Sequence, residues 1–236
     1  MGIGTLLSRS LHCGPLRSRT LLSWSSGKDS AWTLHMLRQQ GVYDVVGLLT
    51  TVNSAFDRVA MHGTRASVLR AQAAAAGLPL VEIPLPWPCS NEQYEAVMQK
   101  ACATAVSQGI QALAFGDLYL EDVRRYREER LAGTGITPIF PLWGRDTSAL
   151  VREMLDGGLR ARITCVDPEK VPASFAGREL DLSLLAELPP GTDPCAENGE
   201  FHTCAYAGPM FARSIPLVPG AVERRDGFVF ADFSVQ

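Results

Sequence analysis

The sequence lacks the spacings that cysteine chemistry needs. Its six cysteines, at positions 13, 89, 102, 165, 195 and 204, include no C-x-x-C pair and no zinc-binding spacing. They read as reduced thiols, which points to the cytoplasm. No run approaches the roughly twenty apolar residues that a membrane-spanning helix requires, so no membrane role is expected. An excess of positive charge is also missing. With 22 Lys and Arg against 25 Asp and Glu, the formal charge of −3 argues against a broad nucleic-acid surface. The Walker A pattern G-x-x-x-x-G-K-[ST] is absent, as are internal repeats and low-complexity tracts. What remains is the composition of an ordinary soluble globular enzyme, 46% hydrophobic and 20% charged. A chain of 236 residues can build one large domain or two small ones.

The first nineteen residues stand apart. They hold Arg9, Arg17, Arg19 and three serines, and no acidic residue precedes Asp29. A disordered extension, a transit peptide or a start assigned too far upstream are the alternatives. The fold is therefore expected to begin near Thr20.

From there the pattern alternates. A β-type run at 20–24 precedes an amphipathic helix at 31–39, with Ala31, Leu34 and Leu37 on one side and Gly41 ending it. A strand at 45–51, an alanine-rich helix at 64–76 stopped by Gly77, and a strand at 80–83 follow. Ser90 and Gln93 form a capping box for a helix to about 108, and 112–115 gives a further strand. Short connections between alternating strands and helices imply βαβ units in a parallel sheet, with ligands at the carboxyl ends of its strands. Beyond about 138 the texture changes. A helix at 147–155 and a strand at 160–166 lead to a polar loop at 193–203 and a β-rich tail with a hairpin turn at 225–228. The expectation is an extension at 1–19, an α/β nucleotide domain at 20–138, and a smaller mixed α/β domain at 139–236.

Ser25, Ser26, Gly27, Lys28, Asp29 and Ser30 lie between the first strand and the first helix. A triphosphate there meets free backbone N–H groups and the positive end of a helix dipole. Gly27 permits a close turn, and Lys28 neutralises phosphate as a point charge. Asp29 suits a magnesium ion that bridges the phosphates, since a bare carboxylate repels them. The hydroxyls of Ser23, Ser25, Ser26 and Ser30 can donate to phosphate oxygens. An ordinary N-capped helix start is the plainer alternative.

The six-residue loop resembles the SGGKDS loop of the N-type ATP pyrophosphatases, a PP-loop superfamily with a Rossmann-like, HUP-type parallel sheet carrying helices on both faces. Ser26 replaces that family's first glycine, a fit that requires a negative φ. Four further segments resemble the diphthamide synthase (diphthine–ammonia ligase) family: RVAMHG at 58–63, GDLYLEDVRRYRE at 116–128, FPLWG at 140–144 and ENGEFHT at 197–203. Ala196 stands where a glycine is expected before the last of these. The resemblance runs from about residue 20 to 235. The alanine-, arginine- and glycine-rich composition points to a bacterial member.

That resemblance implies ATP and Mg²⁺ as cofactors. It implies a ligase that adenylates a carboxylate, releases pyrophosphate, and amidates the product with ammonia. Lys28, Asp29, Arg124, Glu197 and Glu200 are the candidate catalytic residues, with Asp29 on the metal. Ser23, Ser25, Ser26, Gly27, Lys28, Asp29, Ser30, His62, Gly116 and Asp117 are the candidate nucleotide contacts. Among the arginines of the 121–130 charge run, Arg124 is singled out to reach phosphate or a substrate carboxylate; a solvated helix face is the alternative. Glu197 and Glu200 are expected to serve the acceptor, apart from the ATP site. No glutaminase module is visible, so free ammonium is the expected nitrogen source. The acceptor is a small-molecule or protein-borne carboxylate; diphthine fits only a host that makes it. A PP-loop tRNA-modifying enzyme and a non-catalytic ATP-binding protein are the alternatives, and a homo-oligomer is possible.

Overall fold

In the computed structural model, residues 17–56, 58–59 and 63–236 are described. The first strand, β1 (Ser18–Ser23), starts two residues before the expected Thr20, so the expected extension is shorter by Ser18 and Arg19. Arg19 already donates its N–H to Gln111. The rest of the extension, 1–16, lies outside the described residues.

After β1 come α1 (Lys28–Gln40), β2 (Tyr43–Asn53), β3 (Arg58–Val59), α2 (Ala66–Ala76), β4 (Leu80–Leu85), α3 (Asn91–Ser107), β5 (Ala112–Ala114), α4 (Glu121–Leu131) and β6 (Thr137–Ile139). β1 lies between β2 and β5; β4 pairs with β2 and β6 with β5, all parallel. Among the described residues of this sheet, the two-residue β3 alone runs antiparallel, on the end of β2. The chain thus winds outward from β1 to one side, then returns to continue on the other. That reversal opens a crevice at the carboxyl ends of β1 and β5.

Consecutive residues of a strand face opposite sides, and the core divides accordingly. Leu22 and Leu48 pack with Leu34 and Leu37 of α1 and Leu69 of α2. Leu21 and Leu49 pack with Ala105 of α3 and Leu131 of α4. Helices therefore cover both faces, as a sheet apolar on both sides demands. Their ends follow local chemistry. Gly41 and Gly77 close α1 and α2 in the left-handed conformation, and Ser90 with Gln93 forms the full capping box of α3.

The remaining elements are α5 (Thr147–Asp156), β7 (Arg160–Val166), α6 (Leu182–Ala186), β8 (Phe201–Ala207), β9 (Leu217–Arg225) and β10 (Phe228–Val235). The four strands form a separate antiparallel sheet in the order β8-β7-β10-β9. Asp226 and Gly227, at φ 52° and 86°, turn β9 into β10. The second sheet is not a detached body. Ile163, Val166, Phe201 and Val229 join the same core cluster as Leu22 and Leu34. Asp232 of β10 pairs with Arg58 at 2.9 Å and with Arg65 at the start of α2. Among the described residues, no helix is long and apolar enough to cross a membrane.

Candidate active site

The crevice between β1 and β5 holds a cleft of about 190 Å³. Its floor is the loop that opens α1. Gly27 is the N-cap residue and has no side chain to cap the helix; Thr203 takes the first amide, and the positive end of the helix dipole still faces the cleft. Ser23, Ser25, Gly27, Lys28, Asp29 and Ser30 line the cleft. Ser25 and Ser30 share a hydrogen bond at 3.2 Å, and Ser30 Oγ lies 3.0 Å from the Gly27 carbonyl. A Cβ on Gly27 would stand 3.3 Å from the Thr203 carbonyl oxygen, so the glycine admits the neighbouring strand as well as a ligand.

Ser26 corrects two expectations. It does not line the cleft, and its φ is +72° where a negative value was required. A side chain in that region costs roughly 1–2 kcal/mol. Its surroundings hold it there. Ser26 Oγ donates to Thr64 Oγ1 at 2.9 Å, and its carbonyl accepts from Ala205 N–H at 2.9 Å and Gln72 Nε2 at 3.0 Å. Gln72 is fully buried. It also accepts from the Trp24 indole at 2.9 Å and donates to the Ala205 carbonyl at 2.6 Å. One α2 side chain thus ties the 25–30 loop to β8.

Lys28 does not wait as a free point charge. It is buried, its ammonium lies 2.8 Å from Asp29 Oδ2, and it donates to the Cys195 carbonyl. Burial pulls its pKa down, but Asp29, Cys195 and Glu197 outweigh that and hold it above the ordinary lysine value. It remains a cation. Asp29 Oδ1 is buried and has no hydrogen-bond partner. Among the described residues no group of three His, Cys, Asp or Glu side chains can hold a metal ion alone. One unpartnered carboxylate oxygen beside a phosphate loop is nonetheless the donor set Mg²⁺ uses when phosphates supply other ligands. The residues fit the ion on those terms.

The opposite wall is the end of β5. Gly116 is required there, because a Cβ would come within 3.0 Å of the Asp29 carbonyl carbon and 3.1 Å of Ser30 N. Asp117 lines the cleft, paired through both oxygens to Arg127. The Arg127 guanidinium lies over the Phe115 ring, 4.4 Å from its centroid, and lines the cleft too. Arg124 does not. It pairs with Glu128 at 2.7 Å and stacks on Phe140 and Trp143. Three residues turn a helix by almost one full turn, so a charge run in sequence cannot say which arginine faces inward.

The third wall is the loop at 193–203, and it touches the 25–30 loop directly. Thr203 Oγ1 accepts from Lys28 N–H at 3.0 Å. Asp193 organises the loop, accepting from Cys195 N–H at 3.1 Å and Glu197 N–H at 2.8 Å. Ala196, at the position where glycine was expected, takes φ +58°. Glu197 lines the cleft with one oxygen accepting from Leu118 N–H at 2.8 Å. Burial chiefly raises its carboxyl to about 7, with Asp29 and Asp117 adding to the effect against Leu118 N–H and Lys28. Burial and Lys28 lower His202 to about 4, so its ring is neutral at physiological pH. Glu200 does not line the cleft. It is 4% exposed, its Oε1 accepts from Asp193 N–H and Asn198, and its buried Oε2 has no partner.

The expected separation of the two loops is therefore absent: Glu197 lines the same cleft as the 25–30 loop, and Glu200 does not. His62 lies outside the described residues. Sequence reasoning missed Arg127, Asp193, His202 and Gln72. Arg127 and His202 fall inside the family-like segments at 116–128 and 197–203, and Gln72 is a polar residue in the alanine-rich α2; Asp193 left no such signal.

The model of the diphthamide synthase N-terminal domain matches residues 18–136, and that of the C-terminal domain matches 146–229. The diphthine–ammonia ligase of Danio rerio is 30% identical over 135 residues, covering 54% of this chain and 52% of that protein. The Homo sapiens enzyme is 27% identical over 137 residues, covering 54% and 49%. That of Bos taurus is 26% identical over 153 residues, covering 61% and 55%. The chain thus spans about half the length of these curated relatives. The two models together cover most of the chain in the right order, and the chain belongs to the diphthamide synthase family.

Proposed function

We propose that this chain binds ATP with Mg²⁺ in the cleft and uses it to turn a carboxylate into an amide, as a diphthine–ammonia ligase does. The observation that carries the reading is the join of the 25–30 loop to the 193–203 loop. Anion-binding backbone and an ionisable carboxylate meet in one cleft at the carboxyl ends of β1 and β5.

ATP is a substrate here. The opening of α1 receives its phosphates, and Lys28, released in part from Asp29, offers a charge-assisted contact. Asp29 would hold Mg²⁺ through its unpartnered oxygen, together with the phosphates. Such an ion supplies neutralisation of the phosphate charge. Arg127 stands opposite, held by Asp117 and Phe115, where a pyrophosphate leaving group develops charge. The acceptor carboxylate attacks the α-phosphorus, giving an acyl adenylate and pyrophosphate. Ammonia then displaces AMP.

The acceptor is a carboxylate, with diphthine on a protein as the first to try. The experiment is product analysis with ATP, Mg²⁺, ammonium and that acceptor. AMP and pyrophosphate appearing in equal amounts with amide supports the ligase. ADP and orthophosphate as the sole pair rejects it.

A further inference from the structure

The cations of the cleft are already engaged by protein groups. Lys28 is held by Asp29 and the Cys195 carbonyl, and Arg127 by Asp117. Glu197 is different. Leu118 N–H fixes its Oε1 at 2.8 Å, and no hydrogen bond holds Oε2 among the described residues. The backbone is arranged to present it. Asp193 bonds the N–H groups of Cys195 and Glu197, and Ala196 between them is locked in the left-handed region. A strained residue held by two side-chain bonds on either side is a positioning device.

We propose that Glu197 binds an ammonium ion through Oε2 and removes its proton, forming ammonia beside the activated carboxylate. The inference rests on the amide-ligase reading and gives it a nitrogen site. Such a group speeds the reaction near neutral pH, because ammonium, the dominant form there, has no lone pair with which to attack. A proton passes from ammonium to the Glu197 carboxylate. The freed nitrogen lone pair forms the C–N bond to the acyl carbon. The acyl C–O bond to phosphate then breaks, and AMP leaves with the electron pair. The attached nitrogen loses one more proton to the departing phosphate or to water, and Glu197 returns its own to solvent.

The groups that face Glu197 suit this task. Lys28 and Asp29 at the start of α1 and Asp117 at the end of β5 act on it through their charges, without a hydrogen bond to it. Asp193 lies within its own loop, and the neutral His202 on β8 adds no competing cation. Burial raises the carboxyl to about 7, which brings its basicity toward working pH.

Hydroxylamine tests the assignment, since it is neutral at pH 7 and attacks without losing a proton first. The kcat/KM values for ammonium chloride and for hydroxylamine are compared in wild type and Glu197→Gln, with Mg²⁺, ATP and a diphthine-bearing protein. The variant is expected to lose about 100-fold or more with ammonium and to stay within about threefold with hydroxylamine. Its residual ammonium activity should climb with pH as free ammonia replaces the ion. Equal losses with both nucleophiles, or an unchanged ammonium rate, overturn the proposal. A wild type that releases no AMP with either nucleophile rejects the ligase reading instead. A ¹³C carboxyl titration then still judges Glu197 alone: ammonium chloride, against equal sodium chloride, must lower its midpoint, and no shift overturns the assignment.

Discussion

The loop at 25–30 and the loop at 193–203 stand on different sheets and are built by one device with different supports. Each places a non-glycine residue in the left-handed region, Ser26 at φ +72° and Ala196 at φ +58°. Both are positions where a glycine is expected. Ser26 has a side chain that repays part of the strain, through its bond to Thr64, and Gln72 grips its carbonyl. Ala196 has only a methyl group, and its strain is carried by the bonds of Asp193 to its two neighbours. Distant elements hold both loops: Thr64 and Gln72 grip the first, while Lys28 and Leu118 N–H bond the Cys195 carbonyl and Glu197 of the second. The difference lies at the strained residue itself, which is bonded through its own side chain only in the first loop, so Ala196 should be the more easily relieved of strain.

Removing the shared support gives the largest expected effect. Gln72→Ala takes the Gln72 bonds from the Trp24 indole and the Ala205 carbonyl, each worth about 1–3 kcal/mol when buried without a partner, and leaves the Ser26 carbonyl with the Ala205 N–H alone. A loss of about 3–5 kcal/mol in urea unfolding is expected. Hydrogen exchange should rise in both loops. A rise in the 25–30 loop alone would show that the second loop stands independently.

Lys28→Ala and Asp29→Ala should each weaken Mg·ATP binding by about 1.5–3 kcal/mol, read by calorimetry. Arg127→Ala should do likewise, because it removes a cation from the cleft wall. Arg124→Ala should change affinity less than threefold, in keeping with an exposed ion pair to Glu128 worth about 0.5 kcal/mol. The reverse order for the two arginines would move the site toward Phe140 and Trp143.

The second loop also holds two opposed titrations. His202 is lowered to about 4, so the folded chain refuses a proton that the unfolded chain accepts, and stability falls as pH drops from about 6.5 toward 4. Glu197 is raised to about 7, so the folded chain keeps a proton the unfolded chain releases, and stability falls as pH rises from about 4.5 toward 7. In wild type the two offset each other. Glu197→Gln leaves His202 unopposed, and unfolding free energy should then be about 2 kcal/mol greater at pH 7 than at pH 5. A flat profile in the variant would mean that His202 is charged in the fold.

The smallest effect sharpens the comparison most. Ala196→Gly should stabilise by about 0.5–1 kcal/mol, since it relieves strain and removes no hydrogen bond. Ser26→Gly relieves similar strain but loses the bond to Thr64, so its net change should lie within about 0.5 kcal/mol of zero. Thermal unfolding of the two variants side by side reads the difference.

The sequence by itself determined what local chemistry determines. Alternating apolar runs specified strands and helices, Gly41 and Gly77 their ends, and the Ser90–Gln93 pair the start of α3. The same local grammar put the phosphate loop between a strand and a helix, and the five segments marked the family. Tertiary structure alone decided which side chains meet. Thr203 acts on Lys28, 175 residues away, and the choice between Arg124 and Arg127 depends on how α4 rotates against β5. Lys28 finds the Cys195 carbonyl, and Glu197 finds Leu118 N–H, only after the second sheet joins the core of the first. The physical reason is separation along the chain: caps and periodicity act within a few residues, whereas burial, orphaned oxygens and shifted pKa values belong to neighbours that only folding supplies.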